Sequence, residues 1–321
     1  MTIRLGMLGA GAIAAEHSRA FARLGCELAV IMSPDAAQAN EFASEFGFAS
    51  STTEISVALK APNVDAIIVA SPNRVHAAQT SAALRSGKHV LCEIPLGLSM
   101  TDISTVRAAS EERPDLLCMT CHTEQFIKPI AKIAAGIQNE SLNPISLTIF
   151  TGLPRRSNIG WTGRARTWAD DILWHHGVHA IDTSLFLLND QPETVLALAG
   201  PMNSRTGLPM DLSIAIRTKA GRLATMSLSY NADEPINELI LVAESDTFHL
   251  REWTDAGAVE DVTSTPEGLL TQAIYAQDKL FIDNIVHQDN QGPVLTNVLE
   301  TYNVAKQVQD QLTARLAETG L

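Results

Sequence analysis

The sequence predicts an α/β protein in which a doubly wound parallel sheet precedes an α+β domain built on a mostly antiparallel open sheet. Two observations lead to this fold class. In the first third of the chain, short apolar runs alternate with helical stretches, which is typical of a parallel sheet covered by helices on both faces. After about residue 122 the alternation stops, and four strand-like runs follow one another with turns between them. We therefore expect two domains, at residues 1–121 and 122–321.

The first predicted domain holds five strand candidates, each a short run dominated by apolar residues. The runs are IRLGMLGAG, CELAVIMS, VDAIIVASP, HVLCEIP and LLCMTCH. The helix candidates between them are AEHSRAFARLG, DAAQANEFASEFG, RVHAAQTSAALRSG and MTDISTVRAASEE. Runs this apolar are expected in buried strands and not at the exposed edge of a sheet.

The second predicted domain begins with a helix, a strand and a histidine-bearing helix. The helix and strand are FIKPIAKIAAGIQ and ISLTIFTGL, and the later strand candidates are TVLALAG, DLSIAIRT, GRLATMSLSY and ELILVAE. Lys219-Ala220-Gly221 forms the turn between the middle two of these four. An amphipathic helix is expected around residues 299–317.

A glycine-rich turn joins the first predicted strand to the first helix. Gly9, Gly11 and Ala14 match the G-x-G-x-x-G/A pattern, which provides a tight turn, a close approach of backbone to pyrophosphate, and a small residue between helix and strand. Ala12 and Ile13 begin the helix, whose N-terminal N–H groups and dipole attract anions. Within five alternating strand and helix units, the pattern predicts a Rossmann domain that binds NAD or NADP.

The end of the second predicted strand bears on the choice between the two dinucleotides. An acidic residue at this position accepts hydrogen bonds from the ribose hydroxyls of NAD and repels the phosphate of NADP. This chain has Ser33 there, whose hydroxyl can donate to a 2′-phosphate, although no Arg or Lys stands beside it and Asp35 is close. We expect NADP in preference to NAD, with NAD left open.

The composition excludes several classes of partner. The chain has 321 residues and a net charge of −13, so it lacks the cationic surplus that nucleic-acid binding requires. Since no apolar run approaches about 18 residues, no membrane partner is expected. The apolar start runs into a glycine turn without a secretory cleavage pattern, and four cysteines are too few for a disulfide framework. We therefore expect a cytoplasmic protein.

Cys118 and Cys121 form a CxxC pair, which in other proteins binds zinc or carries out redox chemistry. Zinc requires further ligands at workable spacing, and Cys26 and Cys92 do not provide them. Because the pair lies in an apolar run, buried core cysteines are the favoured interpretation.

Three further motifs follow predicted strands or lie on the histidine helix. They are Ser71-Pro72-Asn73 with His76, Glu93-Ile94-Pro95, and His179 with Asp182. Together with GAGAIAAEH, they make nearly the whole chain resemble the glucose–fructose oxidoreductase/inositol dehydrogenase/MocA family of two-domain NAD(P)-dependent dehydrogenases. The resemblance implies cofactor contacts from Ser71, Asn73, His76, Glu93 and Pro95, and a homodimer or homotetramer paired through the open sheet. His17 and His89 are interpreted as packing or surface positions.

The chain departs from most of that family at two positions. Ile94 stands where the family lysine contacts the reacting carbinol, and His175 stands where the family commonly has Asp, four residues before its catalytic histidine. One branch, the bacterial 4-carboxy-2-hydroxymuconate-6-semialdehyde dehydrogenases, is similar to this chain at both positions. It also has the His122-Thr123 pair, although it tends to have arginines where this chain has Glu124-Gln125, and an arginine where this chain has Pro34.

Residues 152–169 contain four arginines and no acidic residue, which is unusual in a chain this acidic. One interpretation is a solvated loop whose arginines pair with acids elsewhere. The other, which we favour, is a clamp for substrate carboxylates, since the guanidinium group matches a carboxylate geometrically. The resemblance assigns substrate binding to Arg155, Arg156, Asn158, Arg166, Trp168, His122 and Thr123. For Trp168 and Trp174, core packing is the default and exclusion of water the alternative.

His175, His176 and His179 are the candidates for catalysis. Oxidation of a carbinol by hydride loss requires a base for the hydroxyl proton, and imidazole titrates near neutrality without strong tuning. His179 is the first choice because it matches the family histidine, with His176 or His175 as relay or orienting group and Asp182 or Asp171 as partners. Zinc bound by the HHxxH pattern is the alternative, but hydride transfer needs no Lewis acid, so we expect no metal.

The resemblance to that branch therefore implies an NAD(P)-dependent dehydrogenase that oxidises the cyclic hemiacetal of a small, carboxylated semialdehyde to a lactone. A sugar, sugar-acid or inositol-type dehydrogenase is the alternative enzyme. A non-catalytic NAD(P)-binding sensor is the alternative from another class, because such a protein tolerates loss of the family lysine.

Overall fold

The computed structural model describes residues 2–155, 172–204, 207–252, 254–255 and 266–319. These residues form two compact units. The first contains residues 2–122 and Ile274–Leu299, and the second contains the described parts of 123–273 and 300–319. Among the described residues, no helix combines the length and apolar character needed to cross a membrane.

The first unit is built on a six-stranded parallel sheet in the order β3-β2-β1-β4-β5-β6. Its strands are β1 Arg4–Leu8, β2 Glu27–Met32, β3 Ser50–Thr52, β4 Ala66–Val69, β5 His89–Cys92 and β6 Cys118–Thr120. Its connecting helices are α1 Ala12–Arg23, α2 Ala36–Phe46, α3 Ile55–Lys60, α4 His76–Arg85 and α5 Met100–Glu112. This arrangement confirms the predicted doubly wound sheet.

The two edge strands show where apolar patterning is informative and where it is not. Strand β3 is three residues long and partly exposed, so it lacks the apolar run by which the other strands were predicted. Strand β6 also lies at an edge, yet its residues are buried. Its edge is covered because Met119 pairs with Val294 and the amide of Thr120 donates to the carbonyl of Pro293 at 3.0 Å.

The second unit is built on a seven-stranded sheet in the order β13-β12-β11-β7-β10-β9-β8. Its strands are β7 Pro144–Pro154, β8 Pro192–Ala199, β9 Asp211–Thr218, β10 Leu223–Ser229, β11 Asn231–Ala243, β12 Thr247–Arg251 and β13 Thr254–Asp255. Among the described strands of this second sheet, only the pairing of β7 with β10 is parallel, so the predicted mostly antiparallel sheet is confirmed. The sequence analysis did not predict β12 or β13.

The helices that follow β6 do not alternate regularly with strands. They are α6 Lys128–Gln138, α7 Val178–Leu188, α8 Pro266–His287 and α9 Leu295–Thr319. Helix α9 corresponds to the predicted C-terminal helix. Helix α8 was not predicted, and its residues from Ile274 onward belong to the first unit.

One face of the second sheet is buried and the other is exposed along β8, β9 and β10. Strand pairing places Leu196, Ala215, Thr225 and Thr148 in one row across the exposed face. Leu196 and Leu198 on this face are 58% and 56% exposed, respectively.

Candidate active site

The glycine turn of the first unit has the shape that a dinucleotide pyrophosphate requires. Gly9 has a φ of +104°, and a Cβ there would lie 2.3 Å from the carbonyl oxygen of Ala70. Gly11 begins α1 without a side-chain cap, and a Cβ at Gly11 would meet nothing within 4 Å. The space beside Gly11 is therefore open at the N-terminus of α1, and the unpaired N–H groups of a helix N-terminus suit an anion.

The polar side chains that follow β2 already have hydrogen-bond partners within the protein. Ser33 is 2% exposed, and its hydroxyl donates to Oε1 of Gln38 at 2.8 Å. The Gln38 amide donates to the carbonyl of Ala10 in the glycine turn at 3.1 Å. Asp35 accepts from the amides of Ala37 and Gln38 and so caps α2. The hydroxyl predicted to bind a 2′-phosphate thus already has an acceptor within the protein.

The other predicted cofactor contacts follow β4 and β5 at the same edge of the sheet. His76 holds these two segments together, because its Nδ1 lies 2.8 Å from the carbonyl oxygen of Pro95 and its Nε2 lies 2.6 Å from that of Ser71. The Ser71 hydroxyl donates to the side chain of Gln79. Asn73 and Glu93 are partly exposed at this edge. His76 is thereby placed as a connector whose ring nitrogens face main-chain carbonyls.

A buried ionic cluster lies beside Glu93. Nδ1 of His17 is 2.8 Å from Oδ2 of Asp278 on α8, and Nε2 of His17 is 2.8 Å from Oε1 of Glu93. The side chains of His17 and Asp278 are fully buried, whereas that of Glu93 is 15% exposed. His17 was predicted to be a packing or surface position, and no role was predicted for Asp278.

The charges of this cluster depend on one another. Burial lowers the pKa of the His17 imidazole, but Asp278 and Glu93 outweigh that effect and raise it to about 10. Burial also raises the pKa of Asp278, with partial compensation from His17. For Glu93, the raising effect of burial is outweighed by His17, which lowers the pKa of the carboxyl group.

Donor atoms of His17, Glu93 and Cys121 lie within 4.8 Å of one another, a set of atoms that suits a metal ion. Two features oppose metal binding here. Nε2 of His17 is already hydrogen-bonded to Glu93, and burial raises the pKa of the Cys121 thiol well above its ordinary range. Cys118 and Cys121 are both buried as thiols, in agreement with core cysteines.

The histidine helix contains a π-helical turn, Leu173–Gly177, which continues into α7. Such turns are frequent at functional sites because they change which side chains share a face. His175, His176 and His179 are half-buried. The ring centroids of His175 and His176 are 4.3 Å apart, and those of His176 and His179 are 5.8 Å apart. The three imidazoles therefore form a row with His176 in the middle.

One end of this row is held by Tyr230, which sequence reasoning missed. The Tyr230 hydroxyl lies 2.6 Å from Nδ1 of His175, and the Arg155 guanidinium contacts the same nitrogen. Arg155 also donates to the Tyr230 hydroxyl at 3.0 Å, and its Cζ lies 5.0 Å from the centre of the Tyr230 ring. Because a guanidinium group only donates, Nδ1 of His175 acts as the acceptor.

The other end of the row faces a carboxylate from a different segment. Nδ1 of His179 lies 4.0 Å from Oε1 of Glu124, whose second oxygen accepts from the Thr183 hydroxyl at 2.5 Å. Asp182, which the sequence analysis offered as a partner of His179, accepts from Gln125 at 2.9 Å and from Thr301 at 3.1 Å. Glu124 and Gln125 are the residues at which this chain departs from the semialdehyde dehydrogenase branch.

Several predicted substrate residues lie outside the described part of the chain. They are Arg156, Asn158, Arg166 and Trp168, together with Asp171. His122 and Thr123 are described and are buried. A crevice beside the histidine row is lined by His176 and Tyr230, together with Thr151, Leu153, Ile172, Leu228 and Ser229.

Comparison with known proteins gives consistent results for both halves of the chain. A family of oxidoreductases with an NAD-binding Rossmann fold matches residues 3–121, and a C-terminal family of bacterial oxidoreductases matches residues 125–257. A 4-carboxy-2-hydroxymuconate-6-semialdehyde dehydrogenase from Sphingobium sp. is 32% identical over 97% of this chain and 99% of its own length. A 1,5-anhydro-D-fructose reductase from Ensifer adhaerens is 31% identical over 61% of this chain and 60% of its own length.

Among solved structures, a levoglucosan dehydrogenase in complex with NADH and levoglucosan is similar in fold, with a TM-score of 0.83. It is 16% identical, and the match covers 98% of both chains.

Proposed function

This chain belongs to the glucose–fructose oxidoreductase/inositol dehydrogenase/MocA family of NAD(P)-dependent oxidoreductases acting on CH–OH groups, and we propose that it oxidises the cyclic hemiacetal of 4-carboxy-2-hydroxymuconate 6-semialdehyde to 2-pyrone-4,6-dicarboxylate. The observation that carries this proposal is the row of three imidazoles in a chain that has Ile94 at the family lysine position. Similarity to the Sphingobium enzyme over nearly the whole chain supports the choice of substrate.

His179 is the proposed base. In this proposal Nδ1, which lies 4.0 Å from Oε1 of Glu124, carries the ring proton, and Nε2 has the lone pair that accepts the substrate proton. Nε2 accepts the lactol proton while the carbinol carbon gives up its hydride and its C–O bond becomes the lactone carbonyl. A dinucleotide held by the first unit would supply the hydride acceptor. His176 lies next in the row and is the proposed relay.

Arg155, Arg156 and Arg166 are the proposed partners of the substrate carboxylates, with Asn158, Trp168, His122 and Thr123 as further contacts. Arg155 is anchored by His175 and Tyr230 through Nη1, which fixes the position of its guanidinium group beside the histidine row. This anchoring supports a clamp because a preorganised donor loses little entropy on binding.

The first unit contributes the proposed cofactor site. Gly9, Gly11, Ala12 and Ile13 would hold the pyrophosphate, and Ser71, Asn73, His76, Glu93 and Pro95 belong to segments at the same sheet edge. NADP remains our proposed preference, with the condition that Ser33 exchanges its bond to Gln38 for one to the 2′-phosphate. We expect Ser33→Ala to raise the dissociation constant of NADP⁺ and to leave that of NAD⁺ unchanged.

The decisive experiment follows nicotinamide absorbance with a panel of cyclised hemiacetals, sugars and sugar acids. We expect turnover of the semialdehyde that collapses in His179→Ala, while His287→Ala, an exposed histidine on α8, retains full activity. Preference for neutral sugars over every dicarboxylate would contradict the proposal. A protein that binds the cofactor and turns over nothing would be the sensor.

A sugar or inositol-type dehydrogenase is the second candidate. The Glu124 carboxylate beside His179 favours it, because this charge repels an anionic substrate and not a neutral polyol. The same substrate panel separates the two.

We also propose a homodimer or homotetramer in the cytoplasm, with residues 1–121 binding the cofactor and 122–321 binding substrate and a second copy of the chain. The exposed leucines of β8 support association through the open sheet face. Light scattering on the purified protein measures the number of subunits.

A further inference from the structure

The proposed reaction assigns Glu93 only to the cofactor site and gives His17 and Asp278, the other two members of the buried cluster, no function. Burying ionised groups is costly, so a cluster of three calls for an explanation. His17 and Asp278 are fully buried, and Glu93 is the member that reaches the surface, with 15% of its side chain exposed. Any influence of the cluster on a ligand is therefore exerted at Glu93.

The cluster has a defined net charge. Both ring nitrogens of His17 face carboxylate oxygens, which accept hydrogen bonds, so the imidazole can donate from both only as the cation. Two carboxylates and one shared imidazolium proton leave one net negative charge. This sum stays the same if the proton moves from His17 to Asp278.

The position of Glu93 in the sheet allows us to infer which half of a dinucleotide would lie near it. A doubly wound domain binds the two halves of a dinucleotide on its two strand–helix halves. Ser33 ends β2 in the half formed by β1, β2 and β3, where the adenosine ribose is recognised. Glu93 follows β5 in the other half, which leaves it on the nicotinamide side.

We propose that the cluster of His17, Glu93 and Asp278 is a fixed anionic group which makes this protein bind the oxidised dinucleotide more tightly than the reduced one. The oxidised nicotinamide ring carries a positive charge and the reduced ring carries none, so a nearby net negative charge stabilises only the oxidised form. Release of the reduced cofactor is thereby favoured after hydride transfer. The inference depends on cofactor binding alone and is independent of the substrate proposed above.

The test measures dissociation constants of NADP⁺ and NADPH, and of NAD⁺ and NADH, by calorimetry without substrate. Glu93→Gln and Asp278→Asn each remove one negative charge at nearly constant shape. We expect either variant to raise the dissociation constant of the oxidised form roughly tenfold, which is the order of effect of one charge in a partly buried site. The dissociation constant of the reduced form should change less than twofold. Asp283→Asn, on the same helix but in an exposed pair with Lys279, is the matched control and should change neither.

A purely structural role for the cluster predicts a different result. Distortion of the pocket would weaken the binding of both redox forms equally and leave the ratio of their dissociation constants unchanged. That result would overturn the proposal, and so would unchanged dissociation constants for both forms. Because Asp278→Asn lies in the core, circular dichroism and the melting temperature establish whether it folds. Glu93 is the partly exposed member of the cluster, so Glu93→Gln keeps the test decisive if Asp278→Asn does not fold.

Discussion

Replacing His17 with Phe tests whether the buried cluster stabilises the first unit. The new ring occupies similar volume beside Phe21, whose ring centroid lies 6.1 Å from that of His17. Glu93 and Asp278 then lose their shared cation, and Asp278 is left fully buried against an apolar ring. Removing one partner of a buried ion pair costs about 3–5 kcal/mol. For a unit of roughly 150–250 residues this corresponds to a decrease in melting temperature of roughly 6–20 °C.

The pH dependence of the stabilisation by His17 provides a second measurement. The folded-state pKa of His17 is about 10, above the ordinary value of 6.5, so the folded protein holds a proton that the unfolded chain releases between these limits. The stabilisation is therefore complete below pH 6.5 and disappears as the pH rises through about 10. We expect the wild-type melting temperature to fall across this window and that of His17→Phe to fall less.

The assay is thermal unfolding of the full chain by circular dichroism at several pH values between 6 and 10. His287→Phe, at an exposed histidine on α8, is the control and should melt like the wild type. If His17→Phe lowers the free energy of unfolding by less than about 1 kcal/mol at pH 6.5, where the stabilisation is complete, the reasoning is refuted. Removal of the cation between these two carboxylates should cost more than that.

Three further outcomes are expected. Gly9→Ala should lower the melting temperature, because its Cβ would lie 2.3 Å from a carbonyl oxygen. A Cβ at Gly11 would meet nothing within 4 Å, so Gly11→Ala should melt like the wild type. In calorimetry, however, Gly11→Ala should bind the dinucleotide at least tenfold more weakly. Tyr230→Phe should reduce kcat about tenfold or more without changing cofactor affinity, since it removes the hydroxyl that contacts His175; unchanged kcat would contradict a role for this contact. Leu198→Asp should dissociate the oligomer in light scattering, and an intact oligomer would place the interface elsewhere.

Local pattern alone was sufficient to predict most of the fold. Apolar runs with strand length and helical stretches between them predicted β1, β2 and β4–β6, and the Gly9–Gly11 spacing located the phosphate turn. These features are readable because the repeat of a strand or helix and the geometry of a glycine turn depend on neighbouring residues. Strand β3 and helix α3 were missed because they are short and their patterns weak.

The partners of the site residues, in contrast, were decided by tertiary structure. His17 meets Asp278, which is 261 residues away, and His175 meets Tyr230, 55 residues away. Likewise, Glu124 faces His179 where Asp182 was expected. Periodicity reports that a side chain is buried, but the atom it contacts depends on which elements the fold places side by side. For this reason the sequence correctly predicted that the three histidines are neighbours, whereas their contacts with Tyr230, Arg155 and Glu124 follow only from the tertiary structure.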